Sequence, residues 1–249
     1  MALCLVVFAL SGTLAITATD SAAQGAPADG PTLAPFASGH GGAVQPPWQF
    51  EGLPEQYQRA PTHFSFETDH GAAVLRVTTD NSYGTIAHPW HGPAPGSLVW
   101  RWRLDQPLTQ SDVATKDGDD SALKVCVMFD QPLNQMPFFE RTALRLARAT
   151  SGKPLPAATL CYLWDSKYPT GTAGRNPYTD RVRYIVLRGP TAPLAKWADE
   201  QRDTSADFQR LFGDESPRTP GITAVVVGAD SDNTHGASVG YVAALHWAR

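Results

Sequence analysis

Residues 97–105, Ser-Leu-Val-Trp-Arg-Trp-Arg-Leu-Asp, alternate apolar and polar side chains at period two. Leu98, Trp100, Trp102 and Leu104 fall on one face, and Val99, Arg101 and Arg103 on the other. Such a run fits a strand with one buried face and cannot form one stripe on a helix. Two indoles and two leucines on a single face commit the strand to a substantial core, with the arginines toward a solvated surface or groove.

Similar signals recur along the chain. Residues 64–68 and 72–78 flank Asp69-His70-Gly71 and read as a hairpin. Residues 84–88, 122–130, 159–165, 181–188, 222–228 and 239–247 are further strands. In 122–130, Leu123, Val125, Val127 and Phe129 form the apolar face, and Lys124, Cys126 and Met128 the other. Residues 138–149 are rich in helix formers, with Arg141, Arg145 and Arg148 as a solvated stripe. A second helix, 204–212, ends at Gly213 and carries Phe208, Leu211 and Phe212 on its apolar side. Roughly nine strands, two short helices and no βαβ alternation predict an all-β fold, an antiparallel β-sandwich of jelly-roll type. The 21 glycines and 21 prolines supply the turns such a fold needs.

The N-terminal part reads differently. Residues 2–16 are apolar over the length of a signal h-region, too short to span a bilayer, and Ser21-Ala22-Ala23 fits a small-residue cleavage site. The usual basic n-region is missing, since no Lys or Arg precedes Arg59. The expectation is a signal peptide over 1–23, a periplasmic or secreted mature chain beginning near Gln24, and no membrane span within it. Residues 24–47, dominated by Ala, Gly and Pro without periodicity, predict a disordered linker, which leaves 48–249 as one sandwich domain. In an oxidising compartment Cys126 and Cys161 form a disulfide if their strands are neighbours, and otherwise act as two buried thiols.

Two acidic stretches hold the candidate chemistry. Asp117-Gly118-Asp119-Asp120 opens a strand, and Gly228-Ala229-Asp230-Ser231-Asp232-Asn233-Thr234-His235-Gly236 lies between two. Asp230 and Asp232 form a D-x-D pair, but His235 stands where an EF-hand needs Gly and Tyr241 where it needs the bidentate Glu. A calcium site of another type, with Asp230 and Asp232 as ligands, competes with a plain turn in which Asp and Asn bond nearby backbone. Both loops are expected to meet at one end of the sandwich, their charge neutralised by a cation, by arginines 101, 103, 175 or 202, or by shared protons. Arg101 and Arg103 are candidate partners of Asp119 and Asp120, or of a ligand carboxylate. Arg175, Asn176 and Tyr178, in a loop rich in Gly, Pro, Thr and Asn, are further candidate ligand-binding residues, as are Asn233 and His235. His88-Pro89-Trp90-His91 reads as a turn, with a structural role favoured over a metal pair.

Several spaced motifs carry a resemblance. Gly118-Asp119-Asp120, Leu160-Cys161-Tyr162-Leu163-Trp164, Asn176-Pro177-Tyr178-Thr179, Arg202-Asp203 with Asp207-Phe208, and Asp230-Ser231-Asp232-Asn233-Thr234 follow in order. Over about residues 48–247 the chain resembles the bacterial domain-of-unknown-function family 3047. The resemblance implies an exported β-sandwich protein and brings no agreed activity. Relatives often carry a Gly-Asp pair after the aromatic of the last strand; here Tyr241 precedes Val242-Ala243-Ala244, so that acid is absent.

The net charge of −4, with no basic cluster among aromatics, argues against nucleic acid as a partner. G-x-S-x-G, H-E-x-x-H, P-loop and G-x-G-x-x-G signatures are missing. Two classes of function stay open: an exported module that binds a polysaccharide or other envelope polymer, and a carbohydrate-active hydrolase or lyase using carboxylates of the 117–120 and 230–234 loops.

Overall fold

The computed structural model describes residues 32–37, 42–53, 58–151 and 155–248. The expected signal peptide, 1–23, lies outside them. Among the described residues the strands are β1 (Gln49–Glu51), β2 (Ala60–Pro61), β3 (His63–Asp69), β4 (Ala72–Asp80), β5 (Ser82–Gly92), β6 (Ser97–Gln106), β7 (Ser121–Phe129), β8 (Ala158–Trp164), β9 (Ala173–Asn176), β10 (Thr179–Arg188), β11 (Ala198–Arg202), β12 (Ile222–Asp230) and β13 (Ala237–Ala248). The helices are α1 (Phe138–Ser151) and α2 (Thr204–Phe212). None is long and apolar enough to cross a membrane.

One sheet runs β1-β5-β12-β7-β8-β10-β9, with β2 also on β5; the other runs β11-β6-β13-β4-β3. Pairing is antiparallel except β8 with β10 and β2 with β5. Successive strands β4, β5, β6 and β7 alternate between the sheets, as do β10 to β13, so the fold is a jelly-roll-like sandwich.

The alternation in β6 does what its sequence dictates. Leu98, Trp100, Trp102 and Leu104 are buried, and so are Leu123, Val125 and Val127 of β7 in the opposite sheet. The Trp100 ring lies 5.3 Å from that of Tyr162, and Trp102 lies 5.5 Å from Trp164, bridging the sheets. Asp203 caps α2 by accepting from the Ser205 and Ala206 N–H groups, and Phe208 meets Phe129 at 4.7 Å.

Three expectations need correction. The linker expected over 24–47 contributes residues 32–37 to the fold, with Leu33 and Phe36 buried in the core. Two apolar side chains suffice to anchor a segment that shows no periodicity. Next, β5 runs on to Gly92 and absorbs His88-Pro89-Trp90-His91, expected as a turn. Pro89 has no N–H to give a ladder, and it sits where the register with β12 shifts between Ile222 and Ala224. On a strand, residues three apart point to opposite faces, so His88 and His91 make no metal pair. Finally, the sequence pattern does not show β1, β2, β9 and β11; each is two to five residues long, and among the described residues polar β11 pairs only with β6.

A smaller apolar cluster covers the outer face of the larger sheet. Cys126 and Cys161, directly opposite on β7 and β8, are joined in a disulfide there. Leu163, Tyr184, Val186 and Val226 surround it, with Val113 from the β6–β7 loop and Tyr168 from the β8–β9 loop packed on top. These contacts pin the loop that carries Asp119 and Asp120.

Candidate functional site

The two acidic loops meet, and the strands set how. Asp230 is the last residue of β12 rather than part of a loop, and the turn proper is 231–236. Asp120, fully buried before β7, accepts from the N–H of Asn233 (3.1 Å), the N–H of Thr234 (2.7 Å) and Thr234 Oγ1 (2.6 Å). One carboxylate thereby satisfies the turn that a sequence reading would expect to satisfy itself. A third loop joins them. Asn176 Nδ2 donates to Asp119 Oδ2 (2.5 Å), and Asn233 Nδ2 donates to Lys116 O (2.6 Å) and Tyr178 Oη (3.1 Å). Tyr178 Oη in turn donates to Lys116 O at 2.9 Å. His235, in the left-handed region at φ 53°, stands at the margin, its Nδ1 donating to Asn81 Oδ1 (2.8 Å).

Charge balance comes from residues the sequence did not single out. Lys124 Nζ reaches Asp230 Oδ2 at 2.8 Å, and the Ser121 N–H binds Asp230 Oδ1 at 2.8 Å. Arg59 Nε pairs with Asp232 Oδ2 at 3.0 Å. Burial works to lower the pKa of the Lys124 ammonium, but Asp230, Tyr83 and Asp119 outweigh it and the pKa is raised. Tyr83, beside Asp230 on β5, has its phenol pushed up chiefly by burial. Gly228 leaves Lys124 room: a Cβ there would stand 2.5 Å from Thr85 Cγ2 and 3.3 Å from Lys124 Cε. The available signal was a single lysine on the non-core face of β7, between strands otherwise apolar.

Arg101, Arg103 and Arg175 do not join this site. Arg101 pairs with Asp199 (2.7 Å), and Arg103 with Asp69 (2.9 Å) and Asp105 (2.8 Å), on the outer face of the smaller sheet. There Arg103 also lies over the Tyr241 and Trp197 rings. Arg175 pairs with Asp180 and Asp214. Arg202 is likewise engaged elsewhere, with Asp207. The alternation of β6 could show that the arginines face outward, but not which sheet they decorate.

In this structure the carboxylates of Asp120 and Asp230 turn their oxygens to protein donors rather than to a shared cation position. Both oxygens of Asp230 and of Asp120 are already taken by N–H or O–H donors or by an ammonium, and Arg59 holds Asp232. A hard cation needs several oxygens with lone pairs turned toward it. Among the described residues no group of three or more His, Cys, Asp or Glu is arranged to hold a metal.

Asp119 is the carboxylate set apart. Burial, with nearby Asp230 adding to it, raises its pKa from 3.8 to about 6. Its folded value exceeds its unfolded one, so the folded chain holds the extra proton between about pH 4 and 6. Stability is gained as pH falls through that window. Asp119→Asn keeps an oxygen for Asn176 Nδ2 and carries no charge. The variant is expected to melt above the parent at pH 7.5, with the difference vanishing near pH 4. Equal melting temperatures at both pH values would show that Asp119 is not held in this way.

The sequence model of a family described as "Protein of unknown function (DUF3047)" matches residues 46–246. No curated protein matches the chain. Among solved structures, it is similar to the xyloglucanase domain of NopAA, a type three effector from Sinorhizobium fredii in complex with cellobiose. That match has 10% identity and a TM-score of 0.39, covering 82% of this chain and 98% of the other. It is also similar to endoglucanase 3 of Trichoderma harzianum, from family GH12, at 8% identity, TM-score 0.39 and the same coverage. At that level neither bears on the chemistry of this chain. With the family model spanning nearly the whole sandwich, and with the spaced motifs around Asp119, Tyr162, Tyr178 and Asp230 inside it, the chain belongs to the DUF3047 family.

Proposed function

We propose that this protein is an exported module that binds a glycan or other envelope polymer where the three loops meet. The observation that carries the reading is Tyr178. The residue is 59% exposed, while its hydroxyl is fastened to Lys116 O and Asn233 Nδ2. A ring held still at the surface gives up little freedom when a sugar stacks on it. Beside it runs an open groove of about 530 Å³ between α1 and strands β8 and β10, lined by Leu155, Pro156, Thr159, Val182 and Tyr178 itself. A groove of that size suits several units of a polymer. Asn176 and Asp119 supply polar groups for hydroxyls next to the ring.

Charge narrows the ligand. Asp117, Asp119, Asp120, Asp230 and Asp232 outnumber Arg59, Lys116 and Lys124 around these loops, and Arg101 and Arg103 pair elsewhere. Neutral, hydroxyl-rich polymers are favoured over uronates, which these carboxylates would repel. The apolar N-terminal segment and the Cys126–Cys161 disulfide support export to an oxidising compartment.

A hydrolase or lyase is the second reading, favoured by Asp119, whose raised pKa of about 6 suits a general acid. Against it, Asp230 is sealed by Lys124 and Ser121 and offers no free second carboxylate. Screening a polysaccharide panel for retention, and for new reducing or unsaturated ends, separates the two. The expected result is retention without new ends, weakened about tenfold or more in Tyr178→Ala, equivalent to about 1.4 kcal/mol of lost stacking. Retention indifferent to Tyr178→Ala overturns the assignment. New ends released by the parent but not by Asp119→Asn favour the enzyme.

A further inference from the structure

Residues 32–37 lie across the sandwich as a strap whose polar attachment is a histidine. Phe36 packs 5.1 Å from the Trp48 ring and 5.7 Å from that of Phe66, and Leu33 is buried beside them in the core. Among the described residues, two hydrogen bonds join the strap's backbone to the sandwich. Trp48 Nε1 donates to Ala34 O at 2.9 Å, and the Ala34 N–H donates to His88 Nε2 at 3.0 Å. His88 is buried in β5, and its Nδ1 donates to Pro89 O at 2.8 Å.

This arrangement fixes the ring's protonation. An imidazole that accepts at Nε2 carries its one proton on Nδ1. A second proton would place an N–H on Nε2, pointed at the Ala34 N–H, donor against donor. Neither group would keep a partner there, and a charged ring would sit in an apolar setting. Opening the strap lets both reach water. We propose that His88 is an acid-operated latch: protonation at Nε2 breaks the Ala34 bond and frees residues 32–37 from the sandwich, uncovering the aromatic surface of Trp48 and Phe66.

Among the described residues, the surroundings of His88 offer the added proton no compensation. The strap, Thr32-Leu33-Ala34-Pro35-Phe36-Ala37, has no titratable side chain. Trp48 meets the imidazole edge-on with its centroid 5.1 Å away, and the residue facing His88 across β12 is Val225. The influences on the ring are burial, which lowers its pKa, and the Pro89 carbonyl, which partly opposes that; no charged group among the described residues acts on it. With the closed-state pKa lowered, the closed strap keeps its full stability above the ordinary imidazole value of about 6.5 and loses it as pH falls below that. The latch is independent of what the loop site binds.

Nuclear magnetic resonance of the ¹⁵N-labelled full chain tests it. At pH 7.5 the His88 nitrogens are expected to report a proton on Nδ1 and none on Nε2. Between pH 6.5 and 5 the protection of the Ala34 amide, corrected for its intrinsic exchange rate, is expected to fall with pH, by at most about tenfold per pH unit, the limit for one linked proton. Amides of β7 and β12 should hold over the same range. His88→Gln retains an acceptor for Ala34 and cannot titrate, so its Ala34 protection should be flat with pH. The latch is overturned if Ala34 stays protected while the ring is seen to protonate. It is overturned equally if His88→Gln shows the parental slope, or if His88 stays neutral until β7 and β12 open as well.

Discussion

Lys124→Met is expected to cost about 3–5 kcal/mol of folding stability in denaturant unfolding at pH 7.5. Methionine keeps the apolar stem that lies beside Gly228 but removes the ammonium 2.8 Å from Asp230. Both side chains are largely shielded, at 14% and 10% exposure, so water does little to replace the lost charge. Asp230 is then left among Tyr83, Asp119 and Asp120 with only the Ser121 N–H. The double variant Lys124→Met/Asp230→Asn should recover most of the loss. Removing a buried pair together leaves no orphan, and the asparagine Oδ1 still accepts from Ser121. A single variant within about 1 kcal/mol of the parent would mean that Asp230 is solvated or protonated rather than held by Lys124.

Trp100→Ala is expected to cost a similar amount, about 3–5 kcal/mol, for a different reason. Trp100 is fully buried between Trp102, whose ring is 5.6 Å away, and Tyr162 in the opposite sheet. Truncation empties the middle of the sandwich where rigid rings on both sides cannot collapse. Trp100→Phe should be far milder. It retains much of the ring, and it removes an indole Nε1 that is buried without a hydrogen-bond partner among the described residues. Equal losses for Ala and Phe would place the cost in indole shape rather than in the cavity.

How far the sequence reveals this fold depends on which residues enforce it. In β6 and β7 every second side chain is large and apolar, so period, face and burial follow from the pattern alone. The C-terminal end of α2 is legible because Gly213 follows its last turn, whereas the cap at the other end is Asp203, one residue before the Thr204 at which the pattern begins. The strap at 32–37 was invisible, since Leu33 and Phe36 gain their meaning only from the Trp48 and Phe66 they touch. Strand β11, Ala-Asp-Glu-Gln-Arg, owes its existence to the exposed edge of β6 rather than to its own preferences.

The site follows the same division. That two acidic loops at strand ends should gather was a topological inference, and Asp120 bonds directly to Asn233 and Thr234. Which cations balance them was not legible. Lys124 and Arg59 lie 106 and 173 residues from Asp230 and Asp232 in sequence, and only the ladder of β12 between β5 and β7 brings Lys124 across. The arginines that the sequence offered instead, 101, 103, 175 and 202, each have acids of their own.

Melting of the full chain in excess chelator and then in excess calcium tests most directly whether the acidic loops are neutralised from within. With Lys124 and Arg59 as the compensating charges, the melting temperature should be the same in both. A bound calcium present at a hundred times its dissociation constant adds about 2.7 kcal/mol. For a chain of this size that is a shift of roughly 5–10 °C. A melting temperature that drops by that amount in chelator, and returns with calcium, would contradict internal neutralisation and make Asp230 and Asp232 metal ligands.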